Sequence, residues 1–285
     1  MNIQWFPGHM AKTRKQMEQD LKLVDIVFEL TDARLPNASR NPEMDLLAKG
    51  KPRIMVLNKA DLADEKANQA WLAYFQKEKI PALLVSSSSG EGLGQLVPMA
   101  KEILKEKLEA NRRRGIVGGG IKAMIAGIPN VGKSTLINKL SGRASAKTGD
   151  RPGVTKGKQW ITLKSGLKLL DTPGILWPKF EDESVGLKLA FSGAVRDEIM
   201  DIEEVAVHLI SFLKEAYPQR LMERYKLEDL DKPSYEILED LGRKRGFVIS
   251  GGEIDTRKAA IILTDEFRGA KLGRITLEWP HQLEH

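Results

Sequence analysis

The chain has 285 residues, 41% of them hydrophobic and 29% charged, the balance of a soluble globular protein with room for two domains. Cysteine is absent, which excludes disulfides and thiolate metal sites and fits a reducing, cytoplasmic setting. The net charge of +6 is uneven: residues 1–180 hold 30 Lys/Arg against 17 Asp/Glu (+13), and residues 181–285 hold 15 against 22 (−7).

That asymmetry suits a first half that meets a polyanion, although a merely solvated surface accounts for it as well. Within the second half, residues 242–274 are basic again, eight against four, and include the run GRKRG. No apolar run approaches the ~18 residues of a membrane span, so no membrane partner is expected. The opening MNIQWFPGHMAK lacks the apolar core of a signal peptide, and residues 283–285 (LEH) match a cloning-tag remnant.

In chain order, VDIVFELT (24–31) is an apolar, β-branched run that predicts a buried strand; IMVLN (54–58), PALLVS (81–86), KAMIAG (122–127) and LKLLDT (167–172) repeat it. WITLK (160–164) reads as a shorter, alternating strand. Helices are predicted near 45–50, over 64–78 and 92–114, and from Lys133 onward. GIVGGG (115–120) reads as a linker inside the domain. Alternating strands and helices predict an α/β fold with a doubly wound parallel sheet. After about residue 180 the strand rhythm stops, and helical patterns follow at 203–217, 234–246 and 255–273. The expected organisation is therefore one α/β domain over 1–180 and a smaller all-α domain over 181–282.

GIPNVGKS (127–134) has the spacing G-x-x-x-x-G-K-S between an apolar strand and a helix. In such a loop, backbone N–H groups and a helix N-terminus close around phosphate oxygens. Asn130, Val131, Gly132, Lys133, Ser134 and Thr135 are the loop residues expected on the nucleotide. Lys133 would reach the β- and γ-phosphates, and the Ser134 hydroxyl would ligate Mg²⁺. LKLLDTPG then places Asp171 at a strand end to hold Mg²⁺ through water, with the Gly174 N–H aimed at the γ-phosphate.

Asn58-Lys59-Ala60-Asp61 selects the base. The Asp61 carboxylate can accept two hydrogen bonds from guanine, a donor pair that adenine lacks; this disfavours an ATPase. Asn58 would tie neighbouring loops together while the Lys59 stem packs on the ring. SSSSG (86–90), with Ser86 and Ser87, would add backbone and hydroxyl contacts. The base reader precedes the phosphate loop, a cyclic rotation of the usual series. Because domain termini often lie close together, a chain can be re-cut in this way without disturbing the site.

The motif set and its order resemble the circularly permuted GTPases of the translation-factor-related class. The opening QWFPGHMAK, the DARLP segment (32–36) and the helical tail narrow the likeness to bacterial ribosome-assembly members, over essentially the whole chain. The resemblance implies a GTP-hydrolysing factor for a late step of large-subunit maturation, monomeric, binding rRNA through the basic first half and the stretch from GRKRG through RKAA (242–260), and stimulated by the particle. It also implies that Thr155, in RPGVTKG, closes over Mg²⁺ and the γ-phosphate, and that Asn130 contacts a K⁺ ion; the alternative for Asn130 is a purely structural role in the turn. A protein-docking switch without RNA is the rival function.

Many GTPases carry a water-orienting glutamine just after the Mg²⁺ turn, but here that place is Ile175. Pro7 and Gly8 suit a tight loop, and the resemblance implies that His9 beside them swings toward the γ-phosphate. The rival for His9 is a loop that packs or binds RNA. Asp32 and Arg34 are expected to form a structural pair. The catalytic set is thus His9, Lys133, Thr155 and Gly174.

Overall fold

A computed structural model describes residues 7–116, 120–142, 159–172, 182–195 and 197–283, without the side chains of 7–13 and 159. Two units result: Met1–Glu181 with Thr276–His285, and Asp182–Ile275. Among the described residues the first is built on six strands, β1 (Ile26–Asp32), β2 (Arg53–Asn58), β3 (Ala82–Leu84), β4 (Lys122–Gly127), β5 (Gln159–Thr162) and β6 (Lys168–Asp171), in the spatial order β3-β2-β1-β4-β6-β5. Every residue of β1 is buried, as expected of a strand covered on both faces.

Five strands run parallel, as the alternation of strands and helices predicts, and β5 is antiparallel to β6. The reason is the short connection. Gly166 (φ +82) turns the chain, and the Leu163 N–H donates to the Leu167 carbonyl at 2.8 Å; a tight turn can join only antiparallel neighbours. Counted from the phosphate-loop strand β4, the sheet reads 2-3-1-4-5-6, one doubly wound series cut between β6 and β1.

The helices of this unit are α1 (Pro7–Leu21), α2 (Glu43–Leu47), α3 (Glu65–Lys77), α4 (Leu96–Ile103), α5 (Lys105–Arg113) and α6 (Lys133–Ser141). Asp64 caps α3 by accepting from the Lys66 and Ala67 N–H groups, and Ala67, Trp71 and Phe75, four residues apart, bury one face. The helix predicted over 92–114 is interrupted at Leu104 (φ −96, ψ 10); α5 buries none of its residues, so packing does not hold it in line with α4.

The tight loop expected at Pro7 and Gly8 is instead the first turn of α1. Proline suits that turn, because its missing N–H would have had no partner there. Met17 and Leu21 of α1 pack with Val27, Met44, Met124 and Leu170, so the helix covers β1, β4 and β6.

The second unit is helical: α7 (Glu183–Ser192), α8 (Ile202–Ala216), α9 (Pro218–Tyr225), α10 (Ser234–Lys244) and α11 (Thr256–Arg268). Its core draws Leu209, Leu213, Leu221, Leu241 and Leu263 from α8 to α11. Glu266 of α11 accepts from Arg224 (Nε, 2.8 Å), from the Tyr225 hydroxyl (2.9 Å) and from Arg245 (3.1 Å), and so ties α9 and the end of α10 to α11. The helical unit ends at Ile275 rather than running to residue 282. From Thr276 the chain bonds to the first unit: Leu277 N–H to the Arg34 carbonyl (2.7 Å), and Trp71 Nε1 to the Glu278 carbonyl (3.1 Å).

Candidate nucleotide-binding site

Asp32, Asn58, Gly127 and Asp171 end β1, β2, β4 and β6, and Ser86 follows β3 closely. These strands are parallel, so all five positions lie at one sheet edge. Winding reverses between β1 and β4, and ligands of open α/β sheets bind in the crevice formed there.

The phosphate loop leaves β4 and turns through two left-handed residues, Asn130 (φ 56) and Gly132 (φ 102). Gly132 is required twice over. Its φ is strained for any side chain, and a Cβ there would lie 2.2 Å from Asn58 Nδ2. Lys133 opens α6, and no side chain caps this helix N-terminus. The N–H groups of its first turn are therefore directed toward an anion.

The Lys133 ammonium is buried and donates to the carbonyls of Gly127 (3.0 Å) and Ile128 (2.8 Å). Burial lowers its pKa to about 8, against the opposing pull of Asp171. Burial likewise raises the Asp171 carboxyl, against Lys133 and the Thr172 N–H. Asp171 Oδ1 is buried and has no hydrogen-bond partner among the described residues. Such an orphaned carboxylate oxygen, electrostatically coupled to Lys133 at the start of α6, fits a hydrated divalent cation that also binds phosphate. Among the described residues no cluster of three acidic or imidazole side chains could hold a metal by itself.

The loops expected to read the base are organised by Asn58. Its Nδ2 donates to the Val131 carbonyl at 2.7 Å, and its Oδ1 accepts from the Ser87 N–H (2.9 Å) and Ser87 hydroxyl (2.8 Å). One buried amide thus joins the phosphate loop to the serine loop. Lys59 adopts φ 61 and places its ammonium 3.0 Å from Asp32 Oδ2. Asp32 is also gripped by Arg34, from Nε at 2.9 Å and from the terminal nitrogen at 2.7 Å. Burial would raise the Asp32 carboxyl, but Arg34 and then Lys59 outweigh it and hold the group well below the usual carboxylate range. Asp61 is exposed, as a carboxylate that meets an incoming base must be.

The expected Asp32–Arg34 pair is present, but its extension to Lys59 was not foreseen; a strand-end acid two residues before an arginine is the only signal in the sequence. The serine loop carries a further device. Gly90 (φ +96) lies against Lys139, whose Nζ donates to the Ser88 carbonyl at 3.3 Å, so α6 supports the serine loop. Ser86 is buried and bonds the Ser88 hydroxyl at 2.9 Å. Ser134 is half-buried and Thr135 exposed. Thr155, Gly174, Ile175 and the side chain of His9 lie outside the described residues.

The fold and this set of loops define a P-loop GTP hydrolase whose motifs run in rotated order. A family model described as "50S ribosome-binding GTPase" matches residues 122–249, starting at the phosphate-loop strand. "Ribosome biogenesis GTPase A" of Bacillus licheniformis is 50% identical, covering 99% of this chain and 100% of its own; the Thermotoga maritima protein of that name is 32% identical, over 99% and 96%. Two solved structures, a GDP-bound YlqF and a GNP-bound YlqF from T. maritima, are 31% identical with TM-scores of 0.65; they cover 93% and 94% of this chain and 99% and 98% of their own. The chain belongs to the ribosome biogenesis GTPase A family.

Proposed function

We propose that the chain is an assembly factor for a late step of large ribosomal subunit maturation, which binds rRNA in the GTP state and leaves after hydrolysis. The reading is supported by relatives named for ribosome biogenesis. The observation that carries it is a base and phosphate site assembled at one sheet edge, with Ile175 where a water-orienting glutamine would stand. A site with isoleucine in the glutamine position suits an enzyme whose water-orienting group is brought in when its partner particle binds.

In this reading Asp61 accepts from guanine, Lys59 covers the ring, and Asn58, Ser86 and Ser87 set the base loops. Asn130, Val131, Gly132, Lys133, Ser134 and Thr135 surround the phosphates. Lys133 leaves its two loop carbonyls to meet the β- and γ-oxygens, and the Gly174 N–H meets the γ-phosphate. Ser134, Asp171 and Thr155 would hold Mg²⁺, which supplies positive charge opposite the developing negative charge on phosphate oxygens. Asn130 would face a K⁺ ion.

The topology supports a catalytic His9. Helix α1 feeds the start of β1, so it runs back along the sheet. Met17 of α1 lines a small cavity with Leu30 and Gly127, near the carboxyl edge. His9 is eight residues earlier, ~12 Å further along a helix, which carries it past that edge. In an unpermuted series α1 would come after the Mg²⁺ turn, so His9 belongs to the segment that follows the glutamine position held here by Ile175. An imidazole there can orient water or stabilise charge.

GRKRG holds fewer unpaired cations than its composition suggests. Arg243 pairs with Asp240, Lys244 with Glu228 (3.0 Å) and Arg245 with Glu266, whereas Arg257 and Lys271 are exposed and make no ion pair among the described residues. The test is GTP turnover in potassium buffer with and without purified large subunits, for the unmodified chain and His9→Ala. Stimulation of the unmodified chain alone, at equal GTP binding, is expected. Equal stimulation of both would remove His9 from catalysis, and no stimulation of either would favour the protein-docking switch.

A further inference from the structure

We propose that residues 276–278 form a strap that positions the guanine-reading loop, with Glu278 as its anchor; this rests on the assignment of residues 58–61 to base recognition. The strap grips both segments that flank the reader. On one side the Glu278 carboxylate accepts from the N–H groups of Asn37 and of Ala38 (2.9 Å), and the Leu277 N–H donates to the Arg34 carbonyl (2.7 Å). On the other, Thr276 Oγ1 accepts from the Asp64 N–H at 3.0 Å, three residues after Asp61. The Glu278 carbonyl takes the indole N–H of Trp71, which anchors the strap to α3.

Thr276, Leu277 and Glu278 are all buried. A buried carboxylate that meets two consecutive backbone N–H groups fixes a loop conformation, because those donors have no water to turn to. The loop in question is the one that leaves β1. Its Arg34 grips Asp32, Asp32 meets Lys59, and its Ala33 N–H donates to the Asn58 carbonyl at 2.7 Å. A continuous set of hydrogen bonds and ion pairs therefore runs from Glu278 to Asn58 and Lys59. In chain order the helical unit lies between Asp171 and the strap, so both of its covalent connections lead to nucleotide-site segments.

The readout is the ratio of GDP to IDP affinity, because IDP lacks the 2-amino group that Asp61 accepts from. It is measured with melting midpoints for the full chain, Glu278→Ala, Glu278→Gln, Thr276→Val and Leu167→Ala; the last lowers stability from the β5–β6 turn. Loss of one charge-assisted anchor should lower the ratio about fivefold to tenfold in Glu278→Ala. Glu278→Gln, which keeps an acceptor oxygen, should recover part of it, Thr276→Val should lower it less, and Leu167→Ala should leave it unchanged. An unchanged ratio in Glu278→Ala and Thr276→Val, with only their melting points lowered, would make the strap merely structural and overturn the proposal. Should Glu278→Ala fail to fold, Thr276→Val and Glu278→Gln decide in the same way. If the unmodified chain itself does not prefer GDP, the guanine reading fails, and the strap proposal falls with it.

Discussion

Asn58 and Val131, 73 residues apart, are joined by a 2.7 Å hydrogen bond from the asparagine amide to the valine carbonyl, across the β3-to-β4 connection where the rotated series is joined. The residue that begins the proposed base reader therefore also holds the phosphate loop, and the same amide fixes Ser87. Asn58→Ala would leave the buried Ser87 N–H and Val131 carbonyl without that partner. It should cost about 3 kcal/mol of stability by denaturant titration, and GDP affinity should fall by more than tenfold.

Gly132→Ala places a methyl group 2.2 Å from Asn58 Nδ2 in a backbone conformation alanine avoids. We expect a loss of ~2 kcal/mol in stability and no measurable GTP binding by fluorescent-nucleotide titration. Gly142→Ala, whose added Cβ meets nothing within 4 Å, controls for the strain of φ +67 alone, and it should still bind GTP.

The Lys133 pKa of about 8 predicts a pH dependence. The unfolded value is ~10.4, so between pH 8 and 10 the nucleotide-free fold holds fewer protons than the unfolded chain. Lys133 therefore adds stability to that fold as pH rises through this window. Nucleotide phosphates restore the ammonium, so binding takes up a proton there, and affinity should fall by up to about tenfold per pH unit above 8. Calorimetry of GDP binding in buffers of different ionisation heat should show proton uptake at pH 8.5, little at pH 6.5, and none in Lys133→Met.

In the helical unit, cations that look alike in sequence should behave differently. Glu266→Ala leaves Arg224, Arg245 and the Tyr225 hydroxyl facing a void and should cost ~3 kcal/mol. Arg257→Ala should change stability by under about 0.5 kcal/mol. It should instead weaken RNA binding and reduce its salt slope by about 1, read from affinities across a salt series.

Much of this was legible from residue patterns. The strands, the phosphate loop and the reader were marked by short apolar runs ending in Gly, Asn and Asp, because buried parallel strands leave few other choices. What was hidden depended on distance along the chain. Glu278 reads as one acid among the last residues, and nothing local says that it meets Asn37 and Ala38. The first turn of α1 read as a loop because Pro and Gly signal turns, although Pro also suits a helix start. Arg245 read as part of a basic run because its partner Glu266 is 21 residues away.

The most direct test of the account is base preference in Asp61→Asn. The carboxylate accepts from guanine N1–H and N2–H, whereas an amide can donate to the 2-oxo group of xanthine. Asp61→Asn should lose GDP affinity by 100-fold or more, about 3 kcal/mol, and gain XDP affinity, with melting unchanged because Asp61 is exposed. Unchanged GDP binding, or equal loss of both nucleotides, would contradict the claim that residues 58–61 read guanine beside a phosphate loop that comes later in the chain.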